Sequence, residues 1–382
     1  MLFESPRLGP RELRVAAAIG QIYMSLKHAL SSPSRWDGIL RRNLFARAIQ
    51  GSNSIEGYLV SKEDAMAAVD GEPPAEASQQ TWMQIIGYRN AMTFVLQLAK
   101  SPNFCLSEDF LRSLHFMMLQ HDILKHPGNY RPGPIYVRDE KKGENVYEAP
   151  AAELVPKLLR EFIQYLAAST DNDHLIVKAS MAHLNLVMIH PFSDGNGRMA
   201  RCLHTLVLAT RGVVDPRFSS IEEYLGRNTL DYYKVLADVG KGKWNPANDT
   251  RPWIRFNLTA HYKQAATSLR RTKVIAKLWD ALEIEIQKVR LPERVMVALS
   301  DAAMGFQVRS SHYKHAADVS NVVASRDLSA LVRTGFLVAS GERRGRSYMG
   351  SESIRNLYLG IRTEEMKEIY DPFETDLDLV TP

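Results

Sequence analysis

Apolar positions along this chain recur at helical spacing far more often than at the alternation of a strand. Over residues 41–56, Leu44, Phe45, Ala48, Ile49 and Ile55 fall on one stripe, and Gly57 follows as a residue suited to ending a helix. The break Asp70-Gly71-Glu72-Pro73-Pro74 precedes a second helix over residues 79–100, with Trp82, Ile85, Ile86, Ala91, Phe94 and Leu98 inward and Pro102 closing it. Ser107 reads as the N-cap of a third, whose apolar face is Phe110, Leu111, Leu114 and Met117 or Met118. Residues 127–150 then interrupt the helical texture with four prolines and three glycines. Around them lie the short pieces Ile135-Tyr136-Val137 and Val146-Tyr147, the pattern of a hairpin flap. Helices resume over residues 151–168 and 174–189, the second apolar almost all round and so expected at the centre of the fold. Pro191 stops it, and Gly195-Asn196-Gly197 leads into another helix over residues 198–210.

A polar segment over residues 241–251 suggests a boundary, and residues 272–289 a helix linking two domains. A new unit begins near Leu291. Its order is a helix at 293–302, then His315 to Ala317, then Asn321 to Thr334, then Phe336-Leu337-Val338, the basic turn Glu342-Arg343-Arg344-Gly345-Arg346, and Tyr348. That is the order of a winged helix. From Asp371 the chain carries Glu374, Asp376 and Asp378 with no basic residue, the composition of a disordered acidic tail. The expected fold is therefore all-α with a short β-hairpin flap, followed by a C-terminal winged helix-turn-helix domain. The expected divisions are residues 1–78, 79–268, 269–360 and 361–382.

Composition narrows the classes. With 382 residues, 45% hydrophobic and 24% charged, and only 22 Gly and 18 Pro, the chain is neither disordered nor collagen-like. No apolar run approaches the ~18–20 residues that cross a bilayer, and residues 1–10 lack an apolar signal core, so a cytoplasmic location without membrane contact is expected. A net charge of +5 favours anionic partners. Cys105 and Cys202 stand alone and are expected as buried small hydrophobes.

Chemistry concentrates in His190-Pro191-Phe192-Ser193-Asp194-Gly195-Asn196-Gly197-Arg198-Met199-Ala200-Arg201. The start of a helix presents unpaired N–H groups and a positive dipole end, so Gly195, Asn196, Gly197 and Arg198 form a cradle for phosphate oxygens. Arg198 and Arg201 lie three apart, on one helical face, where both guanidinium forks reach one polyphosphate. Asp194 beside that cradle suits Mg²⁺, an ion commonly held by one or two carboxylates plus substrate phosphates. His190 has the pKa range of a general base for a hydroxyl. His183, seven residues earlier, reads as a hydrogen-bonded core histidine, since i,i+7 is too long for a helical metal pair.

The segment His190 to Arg201 resembles, without departure, the signature of Fic-domain proteins. The resemblance implies transfer of AMP from ATP to a Ser, Thr or Tyr hydroxyl of a target protein or of the chain itself, a nucleotidyltransferase reaction. It makes His190 the base, Asp194 the Mg²⁺ ligand, Gly195 to Gly197 the phosphate loop, Arg198 and Arg201 the β- and γ-phosphate contacts, and Phe192 a core anchor. Ile135, Tyr136 and Val137 would belong to the flap that aligns the target, and Tyr232 and Tyr233 to the adenosine region. Ser52-Asn53-Ser54-Ile55-Glu56-Gly57 resembles the family's inhibitory pattern. Ser52 and Glu56 share a helix face, which would let the Glu56 carboxylate pair with Arg201 in place of the γ-phosphate. The resemblance also allows the reverse reaction, removal of AMP by a water.

Two rivals stand beside this reading. One keeps the fold and transfers another phosphate-containing group. The other makes the core a nucleotide sensor in a DNA-binding regulator, with residues 320–328 as recognition helix and Asn321, Arg326, Arg333 and the wing arginines toward the groove. Eight Lys or Arg against five Asp or Glu over residues 291–350 leave protein docking or homodimerisation through that unit equally open.

Overall fold

Pro10 opens the first helix with its φ already set, while the Gly9 N–H donates to Glu12 Oε2 at 2.8 Å. The computed structural model describes residues 1–31, 34–101, 104–139, 143–168, 174–210, 215–341 and 346–374. Pro102, Arg343, Arg344, Asp376 and Asp378 lie outside them. Helix α1 (Pro10–Ala29) is followed by α2 (Asp37–Ile55), α3 (Lys62–Asp70), α4 (Gln79–Leu98) and α5 (Glu108–Leu119). The Ser107 hydroxyl does cap α5, accepting from the Phe110 N–H at 3.1 Å. The flap is the antiparallel pair β1 (Tyr136–Asp139) and β2 (Glu144–Glu148), after which come α6 (Val155–Ala167), α7 (Leu175–Ile189) and α8 (Asn196–Thr210). Short α9 (Pro216–Ser219) and α10 (Glu222–Arg227) lead to α11 (Thr229–Gly240), β3 (Gly242–Lys243) and α12 (Arg251–Lys288).

Helix α7 is buried on nearly every side, as its composition requires, and packs against α8 to form the centre of the fold. Trp253 of α12 is 0% exposed, and its indole N–H donates to Ser180 O at 2.7 Å, tying α12 to α7. Two of the helices absent from the sequence reading, α1 and α3, complete the shell. In α1, Val15, Ala16, Ile19, Ile22, Tyr23 and Leu26 form a buried stripe against α12. In α3, Ser61 caps the helix and Asp64 accepts from the N–H groups of Ala75, Glu76 and Ala77.

Residues 241–251 are built into the core rather than standing apart from it. Strand β3 pairs parallel to β2 and extends the flap sheet, and Asn248 Nδ2 donates to Val239 O at 2.8 Å. Helix α12 then runs 38 residues without interruption across position 268. Beyond it, α13 (Met296–Ala303), β4 (Val308–Arg309), α14 (Ser310–Ala316), α15 (Asn321–Arg333), β5 (Leu337–Ser340) and β6 (Ser347–Gly350) form a helical unit with an antiparallel sheet of order β4-β6-β5. Asp327 anchors it, accepting from Arg294 Nε at 2.7 Å and Tyr313 OH at 2.9 Å. Helix α16 (Glu352–Glu365) returns along α12, and Phe373 is half-buried with the Arg255 guanidinium 5.7 Å from its ring centre. Ile361, Ile369 and Phe373, half-buried against the core, hold parts of residues 361–374 to the fold, as Leu357 and Tyr358 do earlier in α16. Cys202 is buried as expected, but Cys105, in the irregular stretch ahead of α5, is exposed.

Helix α2 is gripped along its length by arginines. Arg42 donates to Asp301 Oδ2 at 2.7 Å and meets His312, joining α2 to α13 and α14, and Arg47 pairs with Glu223 of α10. Midway, α2 and α10 cross backbone to backbone. A Cβ on Gly51 would lie 2.8 Å from the Glu222 carbonyl carbon, and one on Gly226 only 2.7 Å from Gly51 Cα. Gly51→Ala is therefore expected to lower stability by about 1–3 kcal/mol in urea unfolding. Gly38→Ala, on the same helix with nothing within 4 Å of an added Cβ, should raise it by a few tenths.

Candidate active site

Proline cannot continue a helix, so α7 ends at Ile189 and His190 turns the chain in a left-handed conformation, φ 52°. His190 Nδ1 lies 3.0 Å from Val187 O; a carbonyl only accepts, so Nδ1 carries the proton and Nε2 is left with its lone pair. Burial lowers the imidazole pKa, with the Arg131 charge adding to the effect and the Val187 carbonyl opposing it. The neutral tautomer that can take a proton at Nε2 is therefore favoured.

The loop after His190 is held shut at its base. Asn196 Oδ1 accepts from the Phe192 N–H at 3.0 Å, and Asn196 Nδ2 donates to Phe192 O at 2.8 Å. The Phe192 ring is fully buried, stacked on His115 with centroids 3.8 Å apart. His115 Nδ1 accepts from the Gly128 N–H at 2.8 Å, so its Nε2–H donates to Asp194 O, and burial brings its pKa down to about 4. Gly195 has φ 76°, and a Cβ there would sit 3.1 Å from Leu119 Cδ1, which explains glycine at that position.

Beyond Asn196 the first turn of α8 collects charge. Arg198 and Arg201 are each 1% exposed. Arg198 donates to Gln84 and lies 3.7 Å from Asp194, whose carboxylate also meets Lys125 Nζ at 3.0 Å. Burial pushes the Asp194 carboxyl up, but Arg198 and Lys125 outweigh it and hold the pKa below the usual range. Arg201 Nε donates to Ser52 Oγ at 2.7 Å, and its terminal nitrogen to Ser52 O at 3.0 Å and Glu56 Oε1 at 2.5 Å. Glu56 is the C-cap of α2, so the end of one helix meets the start of another. A Cβ on Gly197 would fall 2.6 Å from Glu56 Oε1, so the carboxylate occupies the space that glycine leaves open. Arg198 Nε and one Arg201 terminal nitrogen are buried without a partner among the described residues. Buried unpaired donors beside a bound carboxylate define a cradle for an anion with more oxygens than Glu56 supplies.

The other residues singled out in the sequence fall elsewhere. Tyr232 is in the core, its hydroxyl 3.0 Å from His183 Nε2, and His183 is the buried hydrogen-bonded histidine expected. Tyr233 is 46% exposed, and its hydroxyl donates to Ile55 O at 3.0 Å, one residue from Glu56. Ile135 and Val137 pack their side chains on the core, while Tyr136 is exposed on β1, the edge strand of the flap sheet. Gln84, His115, Lys125 and Arg131 are contributors that the sequence reading missed. Gln84 and His115 had a signal, each being a polar residue on the apolar face of its helix.

Residues 105–208 match the Fic/DOC family. Over 219 residues it is 28% identical to "Protein adenylyltransferase Fic" of Nematostella vectensis, covering 56% of this chain and 46% of that protein. Over 241 residues it is 29% identical to the protein of the same name from Aedes aegypti, covering 60% and 43%. The chain thus spans less than half the length of these curated relatives. Among solved structures, a Fic family protein from Desulfovibrio desulfuricans G20 superposes with a TM-score of 0.59 at 22% identity, covering 91% of this chain and 98% of that one. Fic-1 from C. elegans superposes at 0.53 and 22%, covering 68% and 71%.

Behind Arg201, Glu222 accepts from Tyr88 OH at 2.6 Å and from Ser220 Oγ at 3.1 Å, and burial pushes its pKa up to about 7. A carboxyl that titrates near 7 when folded and near 4.5 when unfolded binds its proton more tightly in the fold. Its contribution is complete below the unfolded value and is lost as pH rises through 7. Urea unfolding of the wild type should therefore lose about 3 kcal/mol between pH 4.5 and 8 that Glu222→Gln retains.

Proposed function

We propose that this chain transfers AMP from ATP to Ser, Thr or Tyr hydroxyls of proteins, itself included, and that Glu56 restrains the transfer by occupying Arg201. The observation that carries the reading is the Glu56 carboxylate seated between Arg201 and Gly197, in a cradle with unpaired donors left over. The name shared by the relatives, protein adenylyltransferase, agrees with it.

His190 Nε2 takes the proton of the acceptor hydroxyl, whose oxygen bonds to the α-phosphorus as the bond to the β-phosphate oxygen breaks and pyrophosphate leaves. The N–H groups of Gly195 to Gly197, with Arg198 and Arg201, hold the β- and γ-phosphates. With Glu56 on Arg201 the γ-phosphate loses that partner, and a displaced α-phosphate loses its line to the acceptor. Asp194 is the carboxylate that would hold Mg²⁺. No three His, Cys, Asp or Glu converge among the described residues, so such an ion would complete its shell with phosphate oxygens and water, which fits its usual coordination. When bound, it neutralises phosphate charge. Run in reverse, the same cradle would hold an AMP-bearing protein while a water displaces the AMP.

A second reading rests on α15, which exposes Asn321, Val322, Ser325, Arg326 and Arg333. That face has the donors of a major-groove reader and would make the chain a nucleotide-sensing DNA regulator.

Incubation with Mg²⁺ and ATP labelled at the α- or γ-phosphate separates these. Transfer of AMP predicts covalent α-label alone, increased about 10²-fold in Glu56→Gly and absent in His190→Ala. Label from the γ-phosphate indicates a kinase. No label from either, together with salt-dependent retention of duplex DNA, indicates the regulator.

A further inference from the structure

At the base of the flap, Arg131 is 4% exposed, and its guanidinium is spent entirely on main-chain carbonyls. Nε donates to His190 O at 2.8 Å, one terminal nitrogen to Gly133 O at 2.7 Å, and the other to Pro150 O. Its own N–H donates to Pro191 O at 3.0 Å. The two flap carbonyls stand at opposite ends of the hairpin, Gly133 ahead of β1 and Pro150 after β2. The other two belong to consecutive residues at the turn where His190 leaves α7.

We infer that Arg131 is a positioning residue that locks the flap and the base His190 into one rigid body, fixing the distance between a target laid along β1 and the imidazole that takes its proton. This rests on the AMP-transfer reading. A hydroxyl presented by a protein strand reaches His190 in register only if strand and base do not drift apart. Two segments far apart in sequence have no covalent reason to stay together; the planar fork supplies one, because its donors point in fixed directions. The remaining ties agree. Tyr147 OH of β2 donates to Met188 O at 2.9 Å and the Ala149 N–H to Ile135 O at 3.2 Å, so the hairpin is closed at its base and seated on the last turn of α7. All of the Arg131 partners belong to the flap or to the turn at His190 and Pro191, so Arg131 would act on the acceptor side of the reaction.

The test compares Arg131, Arg131→Lys and Arg131→Gln in the Glu56→Gly background, with the chain as its own acceptor and α-labelled ATP as probe. Lysine keeps the charge but cannot span three carbonyls. The expected result is a fall of about 10²-fold in labelling rate at saturating ATP in both variants, with the ATP dissociation constant unchanged within about twofold. An unchanged rate overturns the inference. So does a rate that falls only in step with ATP affinity, since that marks general damage to the nucleotide site. If Glu56→Gly with Arg131 intact takes no label, the AMP-transfer reading has failed, and amide exchange then decides the coupling. Exchange at residues 133–139 and 143–150 and at 190–192 should accelerate together in both variants; acceleration of one segment without the other overturns it.

Discussion

A guanidinium buried to 1% exposure must have an anion or carbonyls against it, and the position of Arg201 imposes that demand at the start of α8. In this structure Ser52 and Glu56 meet it, both from α2. Much else follows from accommodating that contact. Glycine at 197 leaves room for the carboxylate, α2 ends at Ile55 with Glu56 as its C-cap, and α10 comes close enough to fix α2 in place. One terminal nitrogen of Arg201 is still unsatisfied, so the carboxylate is an adequate partner without being a full one. Under the proposed AMP transfer, a polyphosphate would meet the same donors with more oxygens and more charge.

The electrostatics around this contact keep the neighbouring groups in usable states. Asp194 is held ionised by Lys125 and Arg198, His190 is held neutral by burial, and His115 remains an uncharged donor that fixes the loop between them. The protonation states are set by burial and by neighbours from four different helices or turns. The candidate groups thus lie in one short stretch of sequence, while Lys125 and Arg131 from outside it help to set their charge states.

That division explains what could be read from sequence. The stripe on α2, the Ser107 cap, the all-apolar α7 and the glycine turn into α8 are local patterns, and the structure has them where periodicity and capping put them. The contact between Glu56 and Arg201 was legible because both residues lie in recognisable short motifs. Helix α1 was missed because its alanines dilute the apolar stripe, α16 because acidic residues hide one, and the 241–251 segment because it joins the core through backbone pairing of β3 and through Asn248 on the end of α11. Lys125 and Arg131 were invisible for a different reason. Each acts across a fold that only tertiary packing creates, on a carboxylate in one case and on carbonyls in the other, and neither partnership leaves a spacing to read.

Helix α2 carries at its C-terminal end the carboxylate that meets Arg201, and fourteen positions earlier the arginine that grips Asp301 and His312. At 1.5 Å per residue those points are ~21 Å apart along a nearly inextensible rod. The far anchor belongs to the unit beyond α12, and α12 itself runs unbroken from Trp253 in the core to that unit. One rod thus joins the carboxylate on Arg201 to a contact made in the unit beyond α12, with the glycine crossing at Gly51 between them.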